Sequence, residues 1–319
     1  MANRYLRATG NWNGPVWAAT SGGAAGSAAT PTASDDVYIA ANFTVTLTAA
    51  ATAFKVGHTN GAILLNGNKL SIGPFGLSSY GTSARTLNLT NGTLEVIDTG
   101  GNNGINLSGS NLSLISTGSL VSISTYGAES GQGGLFATLG KTFNDVRINM
   151  ERSGSTYSAV MNITGSPTFR SLIIQSKNSA AHTVQGNGEW QVDKFVAIGS
   201  SSSSRLTLGS IPGYLCSLKV KDLNTFSVYG QYVVPGIGIV TPSGGTLPSG
   251  YPTYIGSNSI SGGYAGWLYQ DPPKISTLVD PLTTAPGSNP NWTVSGTINT
   301  RTDGKDGGGY GISGTAVER

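Results

Sequence analysis

The sequence predicts an all-β chain built as a parallel β-helix, or β-solenoid, and three observations carry that reading. The first is an echo. Phe143, Phe169 and Phe195 recur at an even interval, each opening a short apolar phrase: Phe143-Asn-Asp-Val146-Arg-Ile148, Phe169-Arg-Ser-Leu172-Ile-Ile174 and Phe195-Val-Ala-Ile198. A fixed period of this order marks units that stack because none buries its apolar face alone. The second is composition. Charged residues make up 10% of the chain and 38% of residues are hydrophobic, while Gly, at 47, is about twice its usual share. Polarity is carried by Ser, Thr and Asn, which favour turns and extended chain over helix interiors. The third is alternation: phrases such as Phe43-Thr-Val45-Thr-Leu47, Leu87-Asn-Leu89 and Leu94-Glu-Val96 put apolar residues at every second position.

The elements follow in order. Residues 1–36 read as an irregular N-terminal cap or attachment segment, with Trp12 and Trp17 as the core of a cap over the first strand edges. Residues 37–210 read as the β-helix. Its strand phrases are separated by sharp corners such as Asn66-Gly67-Asn68, Thr90-Asn91-Gly92 and Thr117-Gly118. Asn and Gly supply the left-handed backbone angles such corners need. Hairpins could use the same residues, but the echo and the grouping of two or three strands per period favour parallel coils. Over 211–270 the period is lost, Pro and Gly become dense, and seven of the thirteen tyrosines fall between Tyr214 and Tyr269. This stretch is expected to be a distal cap or loop-rich β module. Asp271-Pro-Pro-Lys274 punctuates the chain. The extension 271–319 carries strand phrases at Trp292-Thr-Val294 and Ile298, and is too short to hold a core alone.

Charge excludes some functions. The net charge is +3, and the basic residues form no stripe that could neutralise a phosphate backbone. No nucleic-acid partner is expected. The absence of a long apolar run argues against membrane insertion by a helix. The first residues carry no apolar h-region, and the single Cys216 suits a reducing compartment, so synthesis in a reducing cytoplasm is expected.

The phrases Thr9-Gly-Asn-Trp12, Trp17, Pro31, Ser34-Asp-Asp-Val-Tyr-Ile39 and Thr44-Val-Thr-Leu47, with Thr142-Phe-Asn-Asp-Val-Arg-Ile148, resemble β-solenoid proteins of tailed-phage virions and related bacterial surface proteins. The resemblance covers about residues 5–200. It implies a right-handed parallel β-helix, often a homotrimer, serving as a tail fibre, tail spike or head decoration. The implied partners are copies of itself, other capsid or tail proteins, and a host-surface glycan.

Chemistry is sparse. His58, His182 and Cys216 are too few and too scattered for a zinc site. The histidines read as loop or strand-edge residues, Cys216 as a small buried side chain, and no cofactor is expected. No G-x-S-x-G elbow or Walker loop occurs. A polysaccharide depolymerase would need two carboxylates roughly 5–9.5 Å apart. Glu189 and Asp193 beside Trp190, with Glu151 from the preceding coil, are the best set, and surface acids flanking a packed tryptophan are the competing reading of the same residues. That enzyme is the alternative to a non-enzymatic virion protein. A bacterial adhesin is a third reading. Asp303-Gly-Lys-Asp306-Gly-Gly-Gly309 reads as a turn rather than a calcium loop. Tyr251, Tyr254, Tyr264, Trp267 and Tyr269 are the ligand-binding candidates, because flat amphipathic rings suit sugars and proteins alike; packing in a cap or subunit interface is the competing role.

Overall fold

Strand Asp35–Ile39 shows how alternation becomes structure: Val37 and Ile39 are fully buried while Asp36 and Tyr38 stay half exposed. A computed structural model of the chain repeats that rule coil after coil. It describes residues 1–97, 104–125, 133–151, 158–221 and 227–242, and the backbone of strands 253–255, 292–300 and 310–318. Two compact units are present, Met1–Gln270 and Asp271–Arg319. Among the described residues there is no helix.

The first unit is a parallel β-solenoid of three sheets. One sheet stacks Ala2–Leu6, Asp35–Ile39, Lys55–His58, Leu77–Ser79, Gly104–Asn106, Gly133–Ala137, Val160–Thr164, His182–Gly186, Leu206–Ser210 and Val233–Pro235, all parallel. Ten strands at ~4.8 Å make a ladder of about 43 Å. Among the described residues the second sheet holds five strands, ending at Leu112–Ile115, and the third runs from Ala51–Ala53 to Gly238–Val240. The N-terminal segment supplies a rung of its own through Ala2–Leu6. The short strand Trp17–Ala18 then runs antiparallel to that rung and covers its end at Tyr5 and Leu6. Trp12 and Trp17 form the cap core as expected, 3% and 0% exposed with ring centroids 5.1 Å apart. The Trp17 indole N–H donates to the Trp12 carbonyl at 2.6 Å.

The echo needs correction. Phe143 does lie beside Phe169, and their rings stack 5.8 Å apart with Phe136 edge-on to Phe143 at 5.0 Å. In the next coil, however, Phe169 lies beside Val192, and Phe195 lies beside Leu172. That coil is therefore shorter than the one before it. Two of the inward positions in each strand, the one held by Phe143 and the one held by Val146, can take the aromatic ring. Phe143 and Phe169 occupy the first, and Phe195 occupies the second. Elsewhere in the third sheet the coil is shorter still where Ala51 lies beside Leu70, and longer where Lys194 lies beside Ser227. Loops between rungs vary in length without disturbing the ladder.

The cross-section also changes. Up to Leu112–Ile115 a coil has three strands, with left-handed Asn66 and Asn91 (φ 49° and 54°) at the corners between the second and third sheets. In the next coil Gly133–Ala137 passes through the turn 138–141 directly into Thr142–Met150, a long strand of the third sheet. The corner has become a bend inside one continuous strand. In the second unit, Trp292–Thr300 and Tyr310–Glu318 pair antiparallel, from Trp292 beside Glu318 to Thr300 beside Tyr310. The Asp303–Gly309 stretch lies outside the described residues.

Candidate functional site

The bend has a sequence cause. Strands Thr142–Met150, Thr168–Ser176 and Gly188–Ile198 each carry a polar pair between two buried apolar residues: Asn144-Asp145, Arg170-Ser171 and Asp193-Lys194. In a flat strand successive residues face opposite sides. Two inward residues separated by a pair, such as Phe143 and Val146, require the strand to bend between them. Stacking then aligns the polar pairs. Asp145, Ser171 and Lys194 share one column, and Arg147, Ile173 and Val196 share the next outward one along the strands. Asn144, Arg170 and Asp193 stand at the bend itself.

An open groove of about 620 Å³ lies here, lined by Leu120, Asp145, Val146, Arg147, Arg170, Ser171, Ile173, Asp193 and Lys194. Charge crosses it from coil to coil. Arg170 pairs with Asp145 and donates from Nε to Asn144 Oδ1 at 3.1 Å. Lys221 reaches Asp193 at 3.4 Å, and Lys219 reaches Glu189 at 3.2 Å on the same strand. The Oδ1 atom of Asp145 is enclosed and makes no hydrogen bond. Lys194 is exposed and has no ion-pair partner among the described residues. In a chain with few charges, fixed donors and acceptors are thus concentrated over an apolar strip of Leu120 and Ile173.

The predicted acid set does not converge. Glu189 and Asp193 do lie on one strand and one face, but each is tied to a lysine. Trp190 faces the opposite way, 0% exposed with its indole N–H unpartnered, and so offers no platform. Gly186 makes room for it: a Cβ there would sit 2.1 Å from the Trp190 ring. Glu151 follows the far end of its strand and accepts from the Ser124 hydroxyl. Of the aromatic candidates, Tyr254 belongs to strand Thr253–Ile255, beside Tyr229 in register, and nothing is described of its side chain. Tyr251, Tyr264, Trp267 and Tyr269 lie outside the described residues.

His58 ends its strand and His182 opens its own, as the strand-edge reading expects, but both turn into the core, 0% and 1% exposed. The His182 Nδ1 accepts the Ala159 N–H at 3.0 Å, and Nε2 donates to Asn178 at 2.6 Å. His58 donates from Nε2 to the Gly61 carbonyl at 3.2 Å and accepts from the Ser79 hydroxyl at 3.3 Å. Burial pushes both rings down to about 4. Ser79 in turn accepts from buried Arg85 at 3.1 Å, whose remaining N–H groups reach the carbonyls of Gly81, Ser83 and Ser110. Cys216 is buried as expected, its thiol pushed up to about 12 by desolvation. Among the described residues no three His, Cys, Asp or Glu side chains come together as a metal-ligand set. No helix among them is long and apolar enough to cross a membrane.

The groove was not anticipated from the sequence, although its signal is present there: a polar pair interrupts the apolar alternation in each of three successive long strands. Comparison with known proteins finds no matching family model, no matching curated protein and no matching solved structure.

Proposed function

We propose that this chain is a non-enzymatic structural protein of a tailed-phage virion, a β-solenoid tail fibre, spike or head decoration. In this reading it assembles as a homotrimer with other virion proteins in the host cytoplasm and contributes to attachment at the host surface. The observation that carries the reading is the unbroken parallel ladder from Ala2–Leu6 to Val233–Pro235, its first rung covered at Tyr5 and Leu6 by Trp17–Ala18. Such a ladder satisfies its backbone hydrogen bonds between coils, so it resists bending without needing a large charged surface. The phrases Thr9–Trp12 and Ser34–Ile39, which carry the resemblance to virion solenoids, build that end. A scaffold of this kind holds a contact surface at a set distance from a particle.

Mass spectrometry of purified particles together with gold labelling by an antibody against the chain tests the reading. Stoichiometric incorporation at a tail or head position is expected, with neighbouring capsid or tail genes. A stable monomer that never joins particles would overturn it.

A further inference from the structure

The groove over the strand bend has the chemistry of a ligand site, and the balance of its charges indicates which ligand. Its lining holds the cations Arg147, Arg170 and Lys194 against the acids Asp145 and Asp193. Both acids are already engaged: Asp145 by Arg170, and Asp193 by Lys221 from outside the groove. Lys194 is thereby left facing the groove with no carboxylate of its own among the described residues. Arg147, which already has an interaction of its own, stands on the far rung, with Ser171 and Ile173 of the middle strand between it and Lys194. A ligand spanning them lies across the rungs, over a small hydroxyl and a half-buried aliphatic side chain. A negative group on it meets Lys194. Its hydroxyls meet Ser171 and the donors and acceptors of the Asp145–Arg170 and Asp193–Lys221 pairs. Its apolar ring faces rest on Ile173 and Leu120.

We infer that this groove binds an acidic oligosaccharide, a chain of carboxylate-bearing sugars lying along the stacking direction. A nucleic acid fits less well, because the groove holds acids as well as bases and its lining lacks an aromatic ring on which bases could stack. A neutral saccharide would leave the Lys194 ammonium uncompensated. The inference rests on the reading of the chain as a host-contacting appendage and moves the contact surface from the tyrosine-rich stretch to the bent strands.

The test is titration calorimetry of the full chain with oligogalacturonate and with a neutral glucose oligomer of equal length, at low and at high salt. Binding of the acidic oligomer alone, weakened by salt, is expected, because exposed charges are screened over a Debye length of about 10 Å at 0.1 M. Lys194→Ala and Arg170→Ala should each weaken it roughly tenfold, the loss of one charge-assisted hydrogen bond. Both side chains are exposed, so folding is retained, and circular dichroism verifies this. Equal binding of both oligomers, no binding, or binding indifferent to Lys194→Ala overturns the inference. Cleavage of the oligomer would overturn the non-enzymatic reading instead. Incorporation into particles without saccharide binding defeats the inference alone, whereas saccharide binding by a chain absent from particles defeats the virion reading alone.

Discussion

Acidification from neutral pH towards 4.5 is expected to weaken the fold. The two buried histidines are the reason. His58 is held neutral by burial, with its Gly61 hydrogen bond opposing and the nearby Arg85 cation reinforcing the effect, and titrates at about 4 in the fold against 6.5 ordinarily. The unfolded chain therefore binds more protons between those values. Stability is full above pH 6.5 and falls as pH drops towards 4. At ~1.36 kcal/mol per pH unit, His58 alone contributes about 3 kcal/mol that is lost across this window. His182 acts in the same direction, because a proton on its Nδ1 would displace the Ala159 N–H that it accepts between coils. Against a typical 5–15 kcal/mol for a whole fold, roughly 3 kcal/mol or more is a large share. Asp35 does not compete in this window. Burial raises it, but the Thr32 N–H and hydroxyl and the Arg4 guanidinium outweigh burial and hold it below 3.8. Guanidinium denaturation at half-unit pH steps gives the measurement. The double variant His58→Gln/His182→Gln should start less stable yet show a flatter profile over the same window. A wild-type stability constant to within about 1 kcal/mol over that range would refute the reasoning.

Other perturbations follow from single sites. Arg85→Leu leaves three carbonyls and the Ser79 hydroxyl without their donor, so a loss of about 3 kcal/mol or more is expected in chemical denaturation; Arg85→Lys recovers only part, lacking the planar fork. Leu139 sits in the left-handed region at φ 45° with its side chain 53% exposed. Leu139→Asn should raise the melting temperature, equivalent to roughly 0.5–1 kcal/mol, because Asn tolerates that conformation. Cys216, buried and shifted up to about 12, should resist a thiol reagent at mildly alkaline pH until denaturant is added; rapid native labelling would contradict its placement. Phe169→Ala removes a ring stacked between coils and should cost about 3–5 kcal/mol, read by thermal unfolding.

Much of the fold was legible because its rules are local. Alternation in Phe43–Leu47 or Leu94–Val96 fixes which side chains face in, and Asn66 and Asn91 announce corners because few other residues accept a positive φ. The burial of the histidines was not legible, because nothing adjacent to His58 reveals it. Ser79, which bonds its ring, and Arg85, which holds Ser79, both come from the next coil. Packing of Trp190 was legible, since its parity with Val192 already placed it opposite Glu189. The groove required knowing that three polar pairs at unequal spacing stand in one stack.

By itself, then, the sequence determined an all-β solenoid with a tryptophan cap, since stacking, alternation and corner angles are properties of short segments. The register between coils was decided by the tertiary structure alone. Phe195 could meet Phe169 or Leu172, and the shorter coil is allowed because both of these inward positions accept a large apolar side chain. Which pair of neighbours closes the core depends on loops whose length the ladder does not restrict. That choice brings Asp145, Arg170 and Lys194 together, and so the surface chemistry follows from register rather than from any motif.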